Sequence, residues 1–202
     1  MPLSFTLSRP DDDTIRRTLD TDLEPTHRGV GLSRNAQHPH GYFVNHKNAI
    51  IGRGREDFLA ARRAMLGWQM FRMGWVELCF SDSPIEVGAV VAVLAHRCGL
   101  WSLNPCKIIY TIDDEGPVAR FGFGYGTLPG HIMRGEERFL LSFDPISNEV
   151  SYDIFAFAQP DHPLASLFFP ILRLFQRQFV SASAAAMTQA VRAEMTRRPN
   201  GT

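Results

Sequence analysis

Cysteine is scarce in this chain: Cys79, Cys98 and Cys106 are an odd number with no CxxC pair. That excludes a disulfide framework and a cysteine-based zinc site, and it implies a reducing compartment, which we take to be the cytoplasm. An excess of charge of one sign is missing too. The 21 Lys and Arg balance the 21 Asp and Glu, for a formal net charge of +0. No overall electrostatic pull toward nucleic acid or an anionic membrane exists, so no nucleic-acid partner is expected. Long apolar runs are absent as well. The most apolar stretch, Leu164 to Leu172, is about half of the ~20 residues a bilayer span needs, and Arg173 follows it. No membrane span is expected. The opening Met1-Pro2-Leu3-Ser4-Phe5 has no basic region leading into an apolar one, as a signal peptide would.

What is present suits one core. The 202 residues fit a single domain over 41–196, an N-terminal arm over 1–40 with the acidic cluster Asp11, Asp12 and Asp13, and a frayed tail over 197–202. Tyr42-Phe43-Val44 and Ala49-Ile50-Ile51 suggest a first strand, closed by a turn at Gly52-Arg53-Gly54; a lone GxG is a weak phosphate signal. From Arg55 to Phe71, Phe58, Ala61, Met65 and Trp68 recur at helical spacing, with Glu56 and Asp57 in the first turn where the helix dipole favours anions. Val76, Leu78 and Phe80 then alternate as in a strand. The valine-rich Val87 to Leu94 predicts a strand covered on both faces. Cys106 to Ile112 and Val118 to Thr127 follow, separated by the turn Asp113 to Pro117.

Strand parity sorts Val118 to Thr127 into two faces: Phe121, Phe123 and Tyr125 on one, Gly122, Gly124 and Gly126 on the other. The aromatic face is expected to look inward, toward a C-terminal helix. Glu137 shares its face with Phe139, Leu141 and Phe143, whereas Glu136 shares one with Arg138. This predicts Glu137 as the buried member of the pair and Glu136→Gln as a control of little effect. Val150, Tyr152, Ile154, Ala156 and Ala158 alternate in a last strand. A helical stripe from Leu164 to beyond Val191 closes the chain, with Pro170 as a kink or a start. The fold class is therefore α+β: a curved, mostly antiparallel sheet of six or seven strands against a long C-terminal helix.

The segments Ile51-Gly52-Arg53-Gly54, Cys106-Lys107-Ile108-Ile109-Tyr110, Phe123-Gly124-Tyr125-Gly126-Thr127-Leu128-Pro129-Gly130-His131 and Gly135-Glu136-Glu137-Arg138-Phe139 resemble the DUF1990 (UPF0548) family, over roughly Gly29 to Val191. Lys107 departs from the arginine the pattern leads one to expect, and for holding an anion the two are not equivalent. The resemblance implies a layout similar to START-like, or Bet v 1-like, helix-grip proteins, in which the sheet grips the helix over a cavity. It implies no activity.

Candidate chemistry gathers at Tyr125, Thr127, His131, Glu136 and Glu137. A histidine beside a carboxylate suits acid–base work, and burial raises a carboxylate toward neutral pH. The alternative is that these groups satisfy backbone donors around a turn. Trp68 and Phe123, with Trp75 and Trp101, are cavity-lining candidates or ordinary core. His38 and His40 have an HxH spacing without further ligands, so no metal is expected; no cofactor is expected either. His96 and Cys98 stand two apart and are candidates to pair. The readings that follow are a binder of a small hydrophobic or amphipathic molecule through Tyr125, Thr127, His131, Glu137, Trp68 and Phe123; a hydrolase-, cyclase- or isomerase-type enzyme using Glu137 and His131; or an interaction module with a filled core.

Overall fold

Period-two alternation produces strands in series, and their order in space follows from short antiparallel connections. The computed structural model describes residues 5–20, 22–80, 82–161 and 168–197. Its strands are β1 (Phe5–Thr6), β2 (Phe43–Arg53), β3 (Val76–Cys79), β4 (Val90–Arg97), β5 (Leu100–Asp114), β6 (Ala119–Thr127), β7 (Met133–Asp144) and β8 (Glu149–Pro160). Its helices are α1 (Asp12–Leu19), α2 (Gly54–Leu66) and α3 (Phe169–Arg197). Seven strands run in the order β2-β8-β7-β6-β5-β4-β3, every neighbour antiparallel, and β1 adds to β5. The sheet is curled around α3, the helix-grip layout expected of an α+β chain patterned this way.

The concave face carries the core. Phe121, Phe123 and Tyr125 of β6 join Phe139 and Leu141 of β7, Tyr152 and Ile154 of β8, Phe58, Ala61 and Met65 of α2, and Val180, Ala184, Met187 and Val191 of α3 in one buried cluster. Parity along β6 therefore holds. Its danger was a bulge, and the bulge lies in the neighbouring strand: β5 shifts register between Ile108 and Tyr110. The extra residue reverses the alternation of β5. Ile108 faces the core, and Tyr110 lies on the other side, where its ring covers Gly124 so closely that a Cβ there would collide with it.

The convex side is also covered. Asp11 caps α1 by accepting from the Thr14 N–H at 2.7 Å, and Ile15 packs on Ala92 and Leu94 of β4, so that strand is buried on both faces. Two boundaries differ from the sequence reading. Helix α2 stops at Leu66, because Trp68 takes a left-handed backbone (φ 52) that turns its indole inward. β2 runs on through Gly52 to Arg53, where a turn was expected, its pairing to β8 interrupted between Ile50 and Gly52. The expected helix start at Leu164 falls outside the described residues. Pro170 lies in the first turn of α3, where a missing N–H leaves no bond unmade.

Candidate functional site

Strand β7 divides Glu136-Glu137-Arg138 between the two faces of the sheet. On the convex face, Glu136 receives the N-terminal arm. Its Oε1 takes hydrogen bonds from the Gly31 N–H and from His27 Nε2, the latter at 2.7 Å, and its Oε2 accepts the Ser33 N–H at 2.9 Å. Burial pushes this carboxyl up, but the bonds from His27, Ser33 and Gly31 outweigh it and leave it below the usual carboxylate range. Arg138 donates to the Ser33 and Arg34 carbonyls and, at 2.6 Å, to Asp153. Asp153 also meets His46 at 2.7 Å. The sequence reading is corrected here: Glu136, 2 % exposed, is as deeply buried as any charged residue among those described. It was expected at the surface because its alternation partner is charged; in fact the arm covers that face.

On the concave face, Glu137 points the other way. The Tyr125 hydroxyl, directly across on β6, donates to its Oε2 at 2.6 Å. Burial pushes the carboxyl up to about 7 in spite of that bond, and pushes the Tyr125 hydroxyl well above its ordinary value. The residue is only partly shielded from contact, yet the surface it keeps belongs to a cavity rather than to bulk water, so burial governs its ionisation. That cavity, about 550 Å³, lies between the sheet and α3. Val93, Ala95, Cys106, Ala156, Phe179 and Val180 supply apolar wall. Leu100, Phe168 and Ile171 line it while remaining exposed, which locates its mouth.

Thr127 and His131 also line this cavity. Thr127 Oγ1 accepts the Gly135 N–H at 3.0 Å and meets Thr26 Oγ1 at 3.2 Å, so its hydroxyl ties the arm to the loop. His131 Nδ1 accepts the Met133 N–H at 2.9 Å, which places the ring proton on Nε2. Burial lowers this imidazole to about 4 and keeps it neutral. Trp68 and Phe123 are not brought to the cavity. They pack edge to face at 5.2 Å in the core, and Trp68 Nε1 donates to the Ser83 carbonyl at 2.9 Å.

Other singled-out residues sort as follows. Trp75 reaches the cavity, with the Arg97 guanidinium 4.0 Å over its ring. Trp101 stacks on His96 at 4.4 Å, so His96 is occupied by an aromatic face rather than by Cys98. His38 bonds the Pro39 carbonyl. Lys107 Nζ is 2.9 Å from Glu24 of the arm. Five polar lining residues were not among the site candidates read from the sequence: Asn45, Arg97, Ser102, Asn104 and Gln176. Asn45 Nδ2 donates to Gln176 Oε1 at 3.3 Å, joining β2 to α3 across the cavity wall. Strand parity in β2 was the one available signal for Asn45, and its two short apolar runs hid it.

Comparison with known proteins agrees with this geometry. The family model described as a domain of unknown function, DUF1990, matches residues 26–186. A UPF0548 protein of Dictyostelium discoideum is 36% identical over 149 residues, covering 70% of this chain and 69% of that one. A UPF0548 protein of Arabidopsis thaliana is 33% identical over 159 residues, covering 76% and 75%. Among solved structures, the Zhui aromatase/cyclase from Streptomyces sp. R1128 superposes with a TM-score of 0.52 at 12% identity, over 80% of this chain and 99% of that one. At that identity the likeness is one of fold. Among the described residues, no helix is long and apolar enough to cross a membrane.

Proposed function

The chain belongs to the DUF1990 (UPF0548) family, and from that premise we propose that it binds a small hydrophobic or amphipathic molecule between its sheet and its C-terminal helix. The reading takes 41–196 as the ligand-holding domain, 1–40 as its arm and the cytoplasm as its location. One observation carries it. A cavity of about 550 Å³ has mostly apolar walls and is lined by a carboxyl, Glu137, that has one hydrogen-bond donor for its two oxygens among the described residues. Cavities of roughly 300 to 1,000 Å³ with few, placed polar groups are the usual form of a small-molecule site. Tyr125, Glu137, Thr127 and His131 supply those groups, and the apolar wall supplies the affinity. Trp68 and Phe123 support it from behind by fixing the concave face of β6. Native mass spectrometry of gently purified protein tests this: a second species heavier by one small molecule, lost on acid denaturation, is expected. Only the bare chain, from several hosts, argues against it.

A second reading has its own support. A carboxyl near 7 and an imidazole held neutral by burial, lining one cavity, are the pair of separated acidities an acid–base enzyme needs. Under this reading Glu137 takes or gives the proton, and the neutral His131 orients the substrate through a hydrogen bond donated from Nε2. Turnover of a bound ligand that stops in Glu137→Gln, with binding retained, favours it over simple binding.

A further inference from the structure

Glu137 has an oxygen to spare. Its Oε2 accepts from Tyr125, whereas Oε1 has no partner among the described residues and is not sealed from the cavity. The groups that face this carboxyl come from every element around it: Tyr125 of β6, Cys106 of β5 and Tyr152 of β8, all held in their uncharged forms by burial. The lining residue His131 is neutral. Helix α3 adds Gln176, Phe179 and Val180, and β2 adds Asn45. Its neighbour Arg138 projects to the opposite face and is engaged by Asp153. Arg97 is the one arginine or lysine of the lining; it pairs with Leu100 at the start of β5, whereas Tyr125 pairs with Ile108, and the Arg97 guanidinium donates to Gln178 and lies 5.5 Å from the Phe175 ring. Arg97 is also stacked on Trp75.

We infer that the ligand is an amphipathic organic cation, whose protonated amine donates to Glu137 Oε1 and whose apolar body lies along Val93, Ala156 and Phe179. This rests on the binding reading above and names its ligand class. A carboxylate enclosed by uncharged groups is an unmatched anion, and an ammonium is the partner that matches it. Asn45 adds a neutral acceptor, since its Nδ2 donates to Gln176 and its Oδ1 has no partner among the described residues. Tyr125 and Phe179 also line the cavity and add aromatic surface to it. Binding is then proton-coupled. Below about 7 the carboxyl is protonated when empty, so an arriving ammonium displaces one proton to solvent and forms the ion pair.

The test uses the full chain with uncharged N-phenyl-1-naphthylamine as reporter. Decylamine, decanol and decanoate, all below their micellar concentrations, compete at pH 6 and pH 8. At pH 8 decylamine is expected to displace the reporter at a concentration about tenfold below that of decanol, with a smaller advantage at pH 6. In Glu137→Gln the advantage falls to within about twofold, and a cooperative thermal unfolding transition shows that the variant is folded. Equal potency of amine and alcohol in the parent protein, a preference for decanoate, or an amine preference that survives Glu137→Gln overturns the ligand class and leaves binding standing. Failure of the reporter and of all three competitors to bind overturns the binding reading itself.

Discussion

At the scale of single residues, two adjacent glutamates with the same chemistry reach opposite states because a strand sends them to opposite faces. Glu137 meets one donor and an apolar cavity, and is raised to about 7; Glu136 meets three donors and is lowered. The sign of each pH effect follows. A carboxyl raised on folding contributes no penalty below its unfolded value of 4.5 and loses stability for the fold as pH rises through about 7. His131, lowered to about 4, acts in the other direction, costing stability as pH falls below 6.5. The difference between parent and Glu137→Gln isolates the first term. Chemical denaturation at pH 5 and pH 8 should show the variant gaining on the parent by on the order of 2 kcal/mol across that interval. A constant difference would mean that Glu137 titrates as a surface group. Parity placed Glu137 on the concave face but named it the buried member of the pair, whereas it keeps surface in the cavity and Glu136 is the more deeply buried. It misplaced Glu136, because a polar alternation partner reads as solvent when the segment that covers it lies a hundred residues away in sequence.

At the scale of elements, β7 is a two-sided clamp, holding the arm on its convex face and the cavity floor on its concave face. The family-resembling run Gly135 to Phe139 thus serves both faces: Glu136 and Arg138 fasten residues 27–34, while Glu137 faces the cavity. Replacing Glu136 with Gln puts an N–H₂ where one oxygen now accepts, leaving a backbone donor or His27 unmatched at a cost of about 1 to 3 kcal/mol. Hydrogen exchange should accelerate selectively at the Gly31 and Ser33 amides and leave those of β6 and β7 slow. Uniform protection would show that the arm is held by other contacts. The strands and the C-terminal helix were legible from alternation and from one long apolar stripe. The order of the arm was not, since its contacts are single hydrogen bonds to distant side chains rather than a periodic pattern. The bulge in β5 was equally silent; nothing in Ile108-Ile109-Tyr110 announces which residue is the extra one.

At the scale of the molecule, the chain is a curled sheet closed on one side by α2 and α3 and on the other by the arm, with an apolar cavity left under the long helix. The layout could be read from the order of the elements. The cavity could not, because its size depends on how far the sheet curls and on small residues, Ala95, Ala156 and Ala158, whose missing volume matters only once they line the same space. The central claim is that this space holds a ligand. Ala156, on β8 opposite Glu137, is the place to test it, since a larger side chain there fills the cavity without touching the clamp on the other face. The most direct measurement is a fluorescence titration of N-phenyl-1-naphthylamine into the parent and Ala156→Phe. The parent should show saturable, one-to-one enhancement, and the filled variant should lose at least tenfold in affinity with an unfolding midpoint close to the parent's. Saturation of equal strength in both proteins, or none in the parent, would contradict it.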